Sequence, residues 1–320
     1  MCPSFYKKNQ NMKTRIIGLV ALLFTIVSSA QQDAQYTQYM YNTIVVNPAY
    51  AGSRQAMSIF ALHRNQWVGV DGAPVTNAFS INTPFKESKV GLGLSVVNDK
   101  IGISTENNIA ADFSYTIPAS EKYKLSFGLK ASANLLSLDF SKLSYQPGDP
   151  NAYQDNIDNK FSPNIGVGFY LHSDNGYVGL SAPNLIETEH FDKSDNSNSS
   201  SHIAKEKINY YLIAGYVFDL SPSLKFKPSL ETKYVQGAPL QVDVSANFML
   251  NEKFVAGLAY RWNAAMSAMV GFQVSDSWFI GYAYDFDTTE FAKYNSGSHE
   301  LFLRFELFNR YDKIISPRFF

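Results

Sequence analysis

Histidines are the side chains of this sequence with the widest choice of chemistry, since an imidazole can bind a transition metal or act as a general base. Either role needs a second group at a defined spacing, and none of the histidines has another ligand at metal spacing. His190 and His202 share an Asp- and Ser-rich stretch; a solvated loop is the favoured interpretation there, and a transition-metal site is the alternative. The histidines are His63, His172, His190, His202 and His299.

Two other kinds of site can be tested on spacing alone. A barrel hydrolase needs a Ser/His or Asp/His constellation near the outer rim, but no His lies two residues from a Ser on any predicted strand and no Asp pair sits beside a His at a strand end. The stretch 148–160 is rich in Asp and Asn, yet it lacks the ordered ligand spacing and the glycine of a calcium loop. The sequence therefore predicts no enzyme, no cofactor and no metal site.

The N-terminal residues 1–30 have the layout of a secretory signal peptide, with Lys13 and Arg15 before an apolar run and small residues up to Ala30. We expect cleavage after Ala30, because the run is shorter than the roughly twenty residues of a spanning helix. Cleavage removes the only cysteine, Cys2, and leaves an acidic mature chain. Disulfides and nucleic-acid partners are therefore not expected.

From residue 56 the chain alternates apolar and polar residues in segments of about ten, the length of a tilted strand that crosses a bilayer. The clearest segment runs from Tyr123 to Leu135. The pattern predicts an all-β fold: a transmembrane antiparallel β-barrel of the outer membrane with about 14 strands. A β-sandwich or propeller also alternates, but aromatic residues recur near the segment ends, as membrane interfaces favour.

The lengths of the connections support this strand count. Short connections follow the even-numbered segments, whereas the long ones, from Asp139 to Ser162, from Asn184 to Glu206 and from Asp287 to Gly297, follow odd-numbered segments. Bacterial barrels place short turns in the periplasm and long loops outside. The chain is thus divided into a signal peptide (1–30), an N-terminal periplasmic or plug segment (31–55), the barrel (56–308) and a periplasmic tail (309–320).

Residues between the outward apolar positions are predicted to line the lumen. They carry both signs of charge, which suits a filled or wet interior better than a selectivity ring. The set comprises Asp112, Lys124, Lys130, Lys225, Lys227, Glu231, Lys233, Asp243, Arg261, Asp285, Arg304 and Glu306.

A barrel of fourteen strands is too wide for wall side chains alone to fill, so we expect an inserted plug. The candidate is the aromatic, amide-rich run QYTQYMYNTIVVNPAYAGS at 35–53. We expect it just inside the periplasmic mouth, with Asn47-Pro48 turning the chain into the first strand. Direct contact with a partner is the alternative. The residues expected to face the wall are Tyr36, Gln38, Tyr39, Asn47, Pro48 and Tyr50.

The same run carries a family resemblance. The stretches QYTQYMYN (35–42), NPAYAGS (47–53), RNQWVG (64–69), DGAP (71–74), GLGL (91–94), NDKIG (98–102) and the terminal SPRFF closely resemble the PorP/SprF family of type IX secretion proteins. The resemblance covers essentially the whole mature chain and is most specific in its N-terminal third.

The resemblance implies a multi-pass outer-membrane component of the type IX secretion and gliding apparatus of Bacteroidota, without a catalytic residue. SprF-like members bind the C-terminal domain of a secreted surface protein, often a giant adhesin, and PorP-like members are linked to periplasmic ring and motor components. We favour the SprF-like branch because of the long polar loops. Expected partners are the adhesin domain at these outer loops, periplasmic machinery at the tail, and outer-membrane lipid. A channel or hydrophobic-compound transporter with an N-terminal plug is the alternative.

Overall fold

A computed structural model of the chain describes residues 36–85, 89–143, 156–187 and 207–307. The expected signal peptide and C-terminal tail lie outside these ranges. Helical structure in the described ranges is limited to α1 (Thr43–Val46) and single 3-10 turns, and no helix there is long and apolar enough to cross a membrane. The strands are β1 (Met57–Asn65), β2 (Val75–Pro84), β3 (Val90–Ile101), β4 (Ser104–Pro118), β5 (Lys124–Leu138), β6 (Ile157–His172), β7 (Gly176–Ala182), β8 (Asn209–Tyr216), β9 (Phe218–Ser221), β10 (Leu224–Val235), β11 (Gln241–Leu250), β12 (Phe254–Arg261), β13 (Ala265–Gln273), β14 (Trp278–Asp287) and β15 (Ser298–Leu307).

These strands form one closed antiparallel barrel. Each pairs with the next strand in the sequence, except that β8 pairs with β10 and not with β9, and the first strand pairs with the last, from Met57 opposite Leu307 to Asn65 opposite His299. β8 and β9 are two pieces of a single strand interrupted at Val217, because both pair with β10. The described residues therefore form fourteen barrel strands, and the predicted fold class and strand number are confirmed.

The two faces of the wall differ sharply in composition. Along β3, Leu92 and Leu94 are exposed, whereas Gly91 and Gly93, which alternate with them, are buried. The same alternation continues around the barrel, so that most large exposed side chains are apolar. An apolar band on the outer face of the wall, combined with a polar inner face, is the arrangement of a barrel in a lipid bilayer. The chain is thus a multi-pass outer-membrane protein that crosses the bilayer with strands.

One end of the barrel has short turns, and the other carries the long connections together with short ones such as residues 102–103; they are called here the short-turn end and the long-loop end. Residues 173–175, 222–223 and 251–253 make tight connections at the short-turn end. The connection 86–88 lies outside the described residues. Because the outer loops of bacterial barrels are the longer ones, we assign the long-loop end to the outside.

Several strands extend further toward the long-loop end than the apolar pattern predicts. β6 begins at Ile157, so residues 157–162 of the outer loop expected from Asp139 to Ser162 are strand, and that expected boundary is wrong. The same extension occurs in β3 and β4, where the Asn98 amide donates to Asn107 over 2.8 Å. The strands remain paired here with polar side chains on both faces, because these residue pairs lie beyond the lipid.

Candidate functional site

Residues 36–54, called the plug, run through the barrel interior before the first strand begins. All but Val45 and Gly52 are buried. The backbone N–H groups of Thr37 and Gln38 donate to the Glu300 carboxylate, near the long-loop end, over 3.0 and 2.9 Å. The plug ends at the opposite mouth. The expectation that it sits just inside the periplasmic mouth is therefore wrong for its first residues, because Glu300 holds them at the outer part of the wall.

A buried charge cluster, called the first anchor, fixes the beginning of the plug. Arg64 of β1 pairs with Asp285 of β14 at 2.7 Å and with Glu300 of β15 at 3.0 Å. The Thr37 hydroxyl donates to Asp285 over 2.7 Å and accepts from Arg64 over 3.1 Å. Buried charges are tolerated when they are paired and hydrogen-bonded. The cluster therefore holds plug and wall in one geometry.

Aromatic packing continues the contact below the first anchor. The ring centre of Tyr41 lies 4.7 Å from that of Phe302 and 5.6 Å from that of Phe279, both on the inner wall. The Arg304 guanidinium lies 4.8 Å from the Phe279 ring centre, within cation–π range. Burial raises the pKa of the Tyr41 hydroxyl to about 12, so this ring stays neutral. Phenylalanines on an inner wall indicate that the wall is shaped for an apolar occupant.

The short helix α1 ends against polar wall side chains. Lys130 of β5 donates to the Ile44 carbonyl over 3.3 Å and pairs with Asp112 at 2.9 Å. The Ser181 hydroxyl donates to the Val46 carbonyl over 2.7 Å. Carbonyls of the last helical turn have no partner within a helix, and here the wall supplies one.

Asn47 and Pro48 begin a 3-10 turn in the middle of the lumen. The Asn47 side chain accepts from the Ala49 N–H and donates to the Phe169 carbonyl of β6, each over 3.0 Å. A Cβ on Gly128 would lie 2.1 Å from the Ala49 nitrogen, so only glycine permits this approach.

The chain enters the first strand later, at residues 52–55. Gly52 and Gln55 both have positive φ values there, 69° and 63°. The expectation that Asn47-Pro48 makes this turn is therefore wrong, because the Asn47 amide is tied to the wall at mid-depth.

A second anchor closes the plug at the short-turn end. Arg54 donates to the Glu306 carboxylate and to the Tyr50 hydroxyl, the latter over 3.4 Å. Arg304 lies 3.8 Å from the other oxygen of Glu306. The plug is thus tied by charge at both ends and packed by rings between them.

A cavity of about 600 Å³ opens at the long-loop end beside the first anchor and is called the vestibule. Its floor includes Arg64 and Asp285, and Arg261 on its side pairs with Asp243 at 2.8 Å. Aromatic, aliphatic and amide groups complete its lining: Trp67, Trp262, Leu240, Gln66, Gln241 and Asn263. The vestibule combines apolar rings with paired charges at the mouth that faces outward.

The loops predicted to bind a partner are described in part, since residues 144–155 and 188–206 lie outside the described ranges. The start of the loop from Asn184 to Glu206 is fixed to β6, where the Asn164 side chain accepts from the N–H groups of Leu185 and Ile186, each over 2.9 Å. In the loop after β5, the Lys142 ammonium lowers the pKa of the Asp139 carboxyl to about 2. The described ends of these loops are therefore held in place by hydrogen bonds and an ion pair.

Most of the residues predicted for the plug and lumen lie inside the barrel. Glu231 is half-buried, and Lys225 lies at the short-turn end, 2.9 Å from the exposed Glu252. Lys124 is exposed at the start of β5. The buried members of the predicted plug and lumen set are Tyr36, Gln38, Tyr39, Asn47, Pro48, Tyr50, Asp112, Lys130, Lys227, Lys233, Arg261, Asp285, Arg304 and Glu306.

Three important charged residues were not among the predicted lumen set: Arg54, Arg64 and Glu300. Arg54 and Arg64 follow or belong to the stretches that carry the family resemblance, and this is the signal that could have found them. Glu300 shares the inner face of β15 with Arg304 and Glu306, two and three alternations further on. An inner-face count along β15 would therefore have included it.

The part of the chain that is described contains three of the histidines, His63, His172 and His299. No group of three His, Cys, Asp or Glu side chains there is arranged to hold a metal ion. His63 and His299 instead contact Asn77 at 2.8 Å and the Tyr282 hydroxyl at 2.6 Å. His190, His202 and most of the stretch 148–160 lie outside the described residues.

Comparison with solved structures gives barrels with very low sequence identity. The monoaromatic hydrocarbon channel CymD is similar with a TM-score of 0.50 and 13% identity, over 86% of this chain and 94% of that one. The Pseudomonas putida toluene transporter TodX is similar with a TM-score of 0.50 and 10% identity, over 87% and 94%. At this identity the likeness concerns the fold alone.

The search of curated proteins found no significant match. The model of the family described as type IX secretion system membrane protein PorP/SprF matches residues 28–305. This range contains the plug, the first anchor and nearly the whole barrel, and it ends one residue before Glu306 of the second anchor. The chain belongs to the PorP/SprF family of type IX secretion system membrane proteins.

Proposed function

We propose that this protein is a barrel of the type IX machinery that binds the C-terminal domain of a secreted surface protein, a large adhesin, as in the SprF-like branch. In this role it aids secretion of the adhesin and holds it at the cell surface. The observation that carries the proposal is the plug. A lumen occupied by the protein's own buried and doubly anchored segment suits a rigid scaffold for recognition better than an open pore.

The proposed binding surface is the vestibule together with the outer loops 139–156, 184–206 and 287–297. Trp67 and Trp262 offer large apolar contact, and Arg261 offers directed hydrogen bonds; tryptophan and arginine are enriched where a few residues carry most of the binding energy. The short-turn end and the tail 309–320 are left to contact periplasmic components of the machinery.

Deletion of residues 189–205 tests the proposal. Lys207 and Glu187 form an ion pair at 3.5 Å, so the cut ends already lie close together and a short Gly-Ser linker can join them. We expect the secreted protein to disappear from intact cells, as measured by surface immunolabelling, while the barrel still shows heat-modifiable migration. A variant with the order of residues 189–205 scrambled keeps length and charge and should lose display as well. Unchanged display in both variants contradicts the assignment.

A channel or hydrophobic-compound transporter is the second candidate, on the strength of a barrel shared with CymD and TodX. Planar-bilayer conductance and uptake of a monoaromatic compound into liposomes distinguish the two functions. A steady open conductance of the unmodified protein, together with uptake, would favour the transporter.

A further inference from the structure

The wall has a gap in its hydrogen-bond ladder near the short-turn end. β8 pairs with β10 as far as Gly215 opposite Ser229, and β9 resumes with Phe218 opposite Phe226. In this part of the wall, no pairing joins residues 216 and 217 to residues 227 and 228. Pro228 has no N–H to donate, and the Val217 N–H donates to the Asn175 carbonyl over 2.8 Å instead. The strand is therefore interrupted without leaving that N–H unpaired.

A cavity of about 520 Å³ lies at this gap and reaches both faces of the wall. Its outer part is apolar and lined by bilayer-facing side chains: Leu171, Val178, Leu230 and Val244. Tyr123 and Tyr216, 48% and 47% exposed, flank it close to the short turns. Tyrosines at this depth mark the membrane–water interface, so the cavity opens at the level of lipid headgroups and ester groups.

The inner part of the cavity is bounded by Tyr177 and Ser229, which are 7% and 6% exposed. Their hydroxyl oxygens have almost no accessible surface and lie close enough to interact with each other. The cavity is therefore accessible from the bilayer side, through its apolar outer part.

We propose that the gap is a binding site for a phospholipid of the surrounding membrane. One acyl chain lies along Leu171, Val178, Leu230 and Val244, with its carboxyl end beside Tyr123 and Tyr216. The occupant is a membrane lipid because the cavity opens on the bilayer-facing surface at interfacial depth and its outer lining is apolar. This site is independent of the partner-binding surface at the other end.

Photo-crosslinking tests the site on the full mature chain. The protein is reconstituted in phosphatidylethanolamine vesicles that contain a trace of phosphatidylethanolamine with a diazirine near the carboxyl end of one acyl chain. After irradiation, mass spectrometry should find adducts concentrated in residues 171–178 and 214–230. Ala214→Phe fills the outer cavity and should lower this yield several-fold. Ala131→Phe is the matched control, since Ala131 faces lipid on an unbroken ladder opposite Ile165, and should leave the yield unchanged.

The unmodified protein keeps the test decisive if Ala214→Phe fails to assemble, because its own adducts report where the probe binds. Adducts spread evenly over the lipid-facing strands would overturn the proposal.

Discussion

Neutralising Glu300 should release the plug while leaving the barrel intact. Its carboxylate is fully buried and accepts three hydrogen bonds at 2.9–3.0 Å, from the N–H groups of Thr37 and Gln38 and from Arg64. Glu300→Gln removes the charge and places an amide NH2 group, which can only donate, beside the N–H groups and the guanidinium that donate to the carboxylate. The backbone pairing of residue 300 with Arg64 and Ala283 does not depend on the side chain.

The expected magnitude follows from the loss of one partner of a buried charge pair, which costs about 3–5 kcal/mol. If this cost falls on the docked plug, the undocked population rises about a hundred-fold to a few thousand-fold, at about 1.4 kcal/mol per factor of ten. An exposed pair is worth roughly 0–1 kcal/mol. Glu290→Gln is therefore the matched control, since Glu290 is 89% exposed and pairs with Lys293.

Single-channel recording in planar bilayers measures the effect. A variant that lacks residues 31–54 defines the open level. The unmodified protein and Glu290→Gln should visit that level rarely, and Glu300→Gln should visit it often. If the plug-deleted variant conducts while Glu300→Gln behaves like the unmodified protein, the first anchor does not hold the plug. A plug-deleted variant that stays closed would refute the idea that the plug fills the lumen.

Two further changes test other parts of the plug. Gly128→Ala should raise the open fraction in the same recordings and lower the thermal unfolding temperature, because the new Cβ would lie 2.1 Å from the Ala49 nitrogen; unchanged values would show that the plug yields without cost. In a double-mutant cycle, Arg54→Met should destabilise the protein by about 3–5 kcal/mol in chemical denaturation, and the double variant with Glu306→Gln should lose less than the sum of the two single changes because the two residues form one ion pair. Additive effects in that cycle would argue against the second anchor.

The sequence predicts the barrel well because outward positions such as Leu92 and Leu94 must meet lipid, and this requirement repeats along every strand. It predicts strand ends poorly. At Asn98 and Asn107, both faces of the sheet are polar although the strands are still paired. The alternation of apolar and polar residues therefore no longer shows where the strand continues. The interruption at Val217 leaves no hydropathy signal either, although Pro228 opposite the gap is consistent with it.

The plug could be predicted from composition, but its depth and its anchors could not. The prediction assumed polar side chains inside, whereas Phe60, Phe279 and Phe302 face inward to pack on each other and on Tyr41. In the sequence, an aromatic residue on the inner face looks the same as a break in the alternation of apolar and polar residues. Arg64 and Glu300 are 236 positions apart, and only the closure of the sheet brings them together.

That closure sets an order of assembly. Arg64 belongs to the first strand, Glu300 and Asp285 to the last two, and Thr37 to the segment they enclose. The full cluster cannot exist until the last strand has met the first and the N-terminal segment lies inside the ring. The first anchor thus acts as a completion lock, because it forms only when the newly inserted chain has closed around its own N-terminal segment.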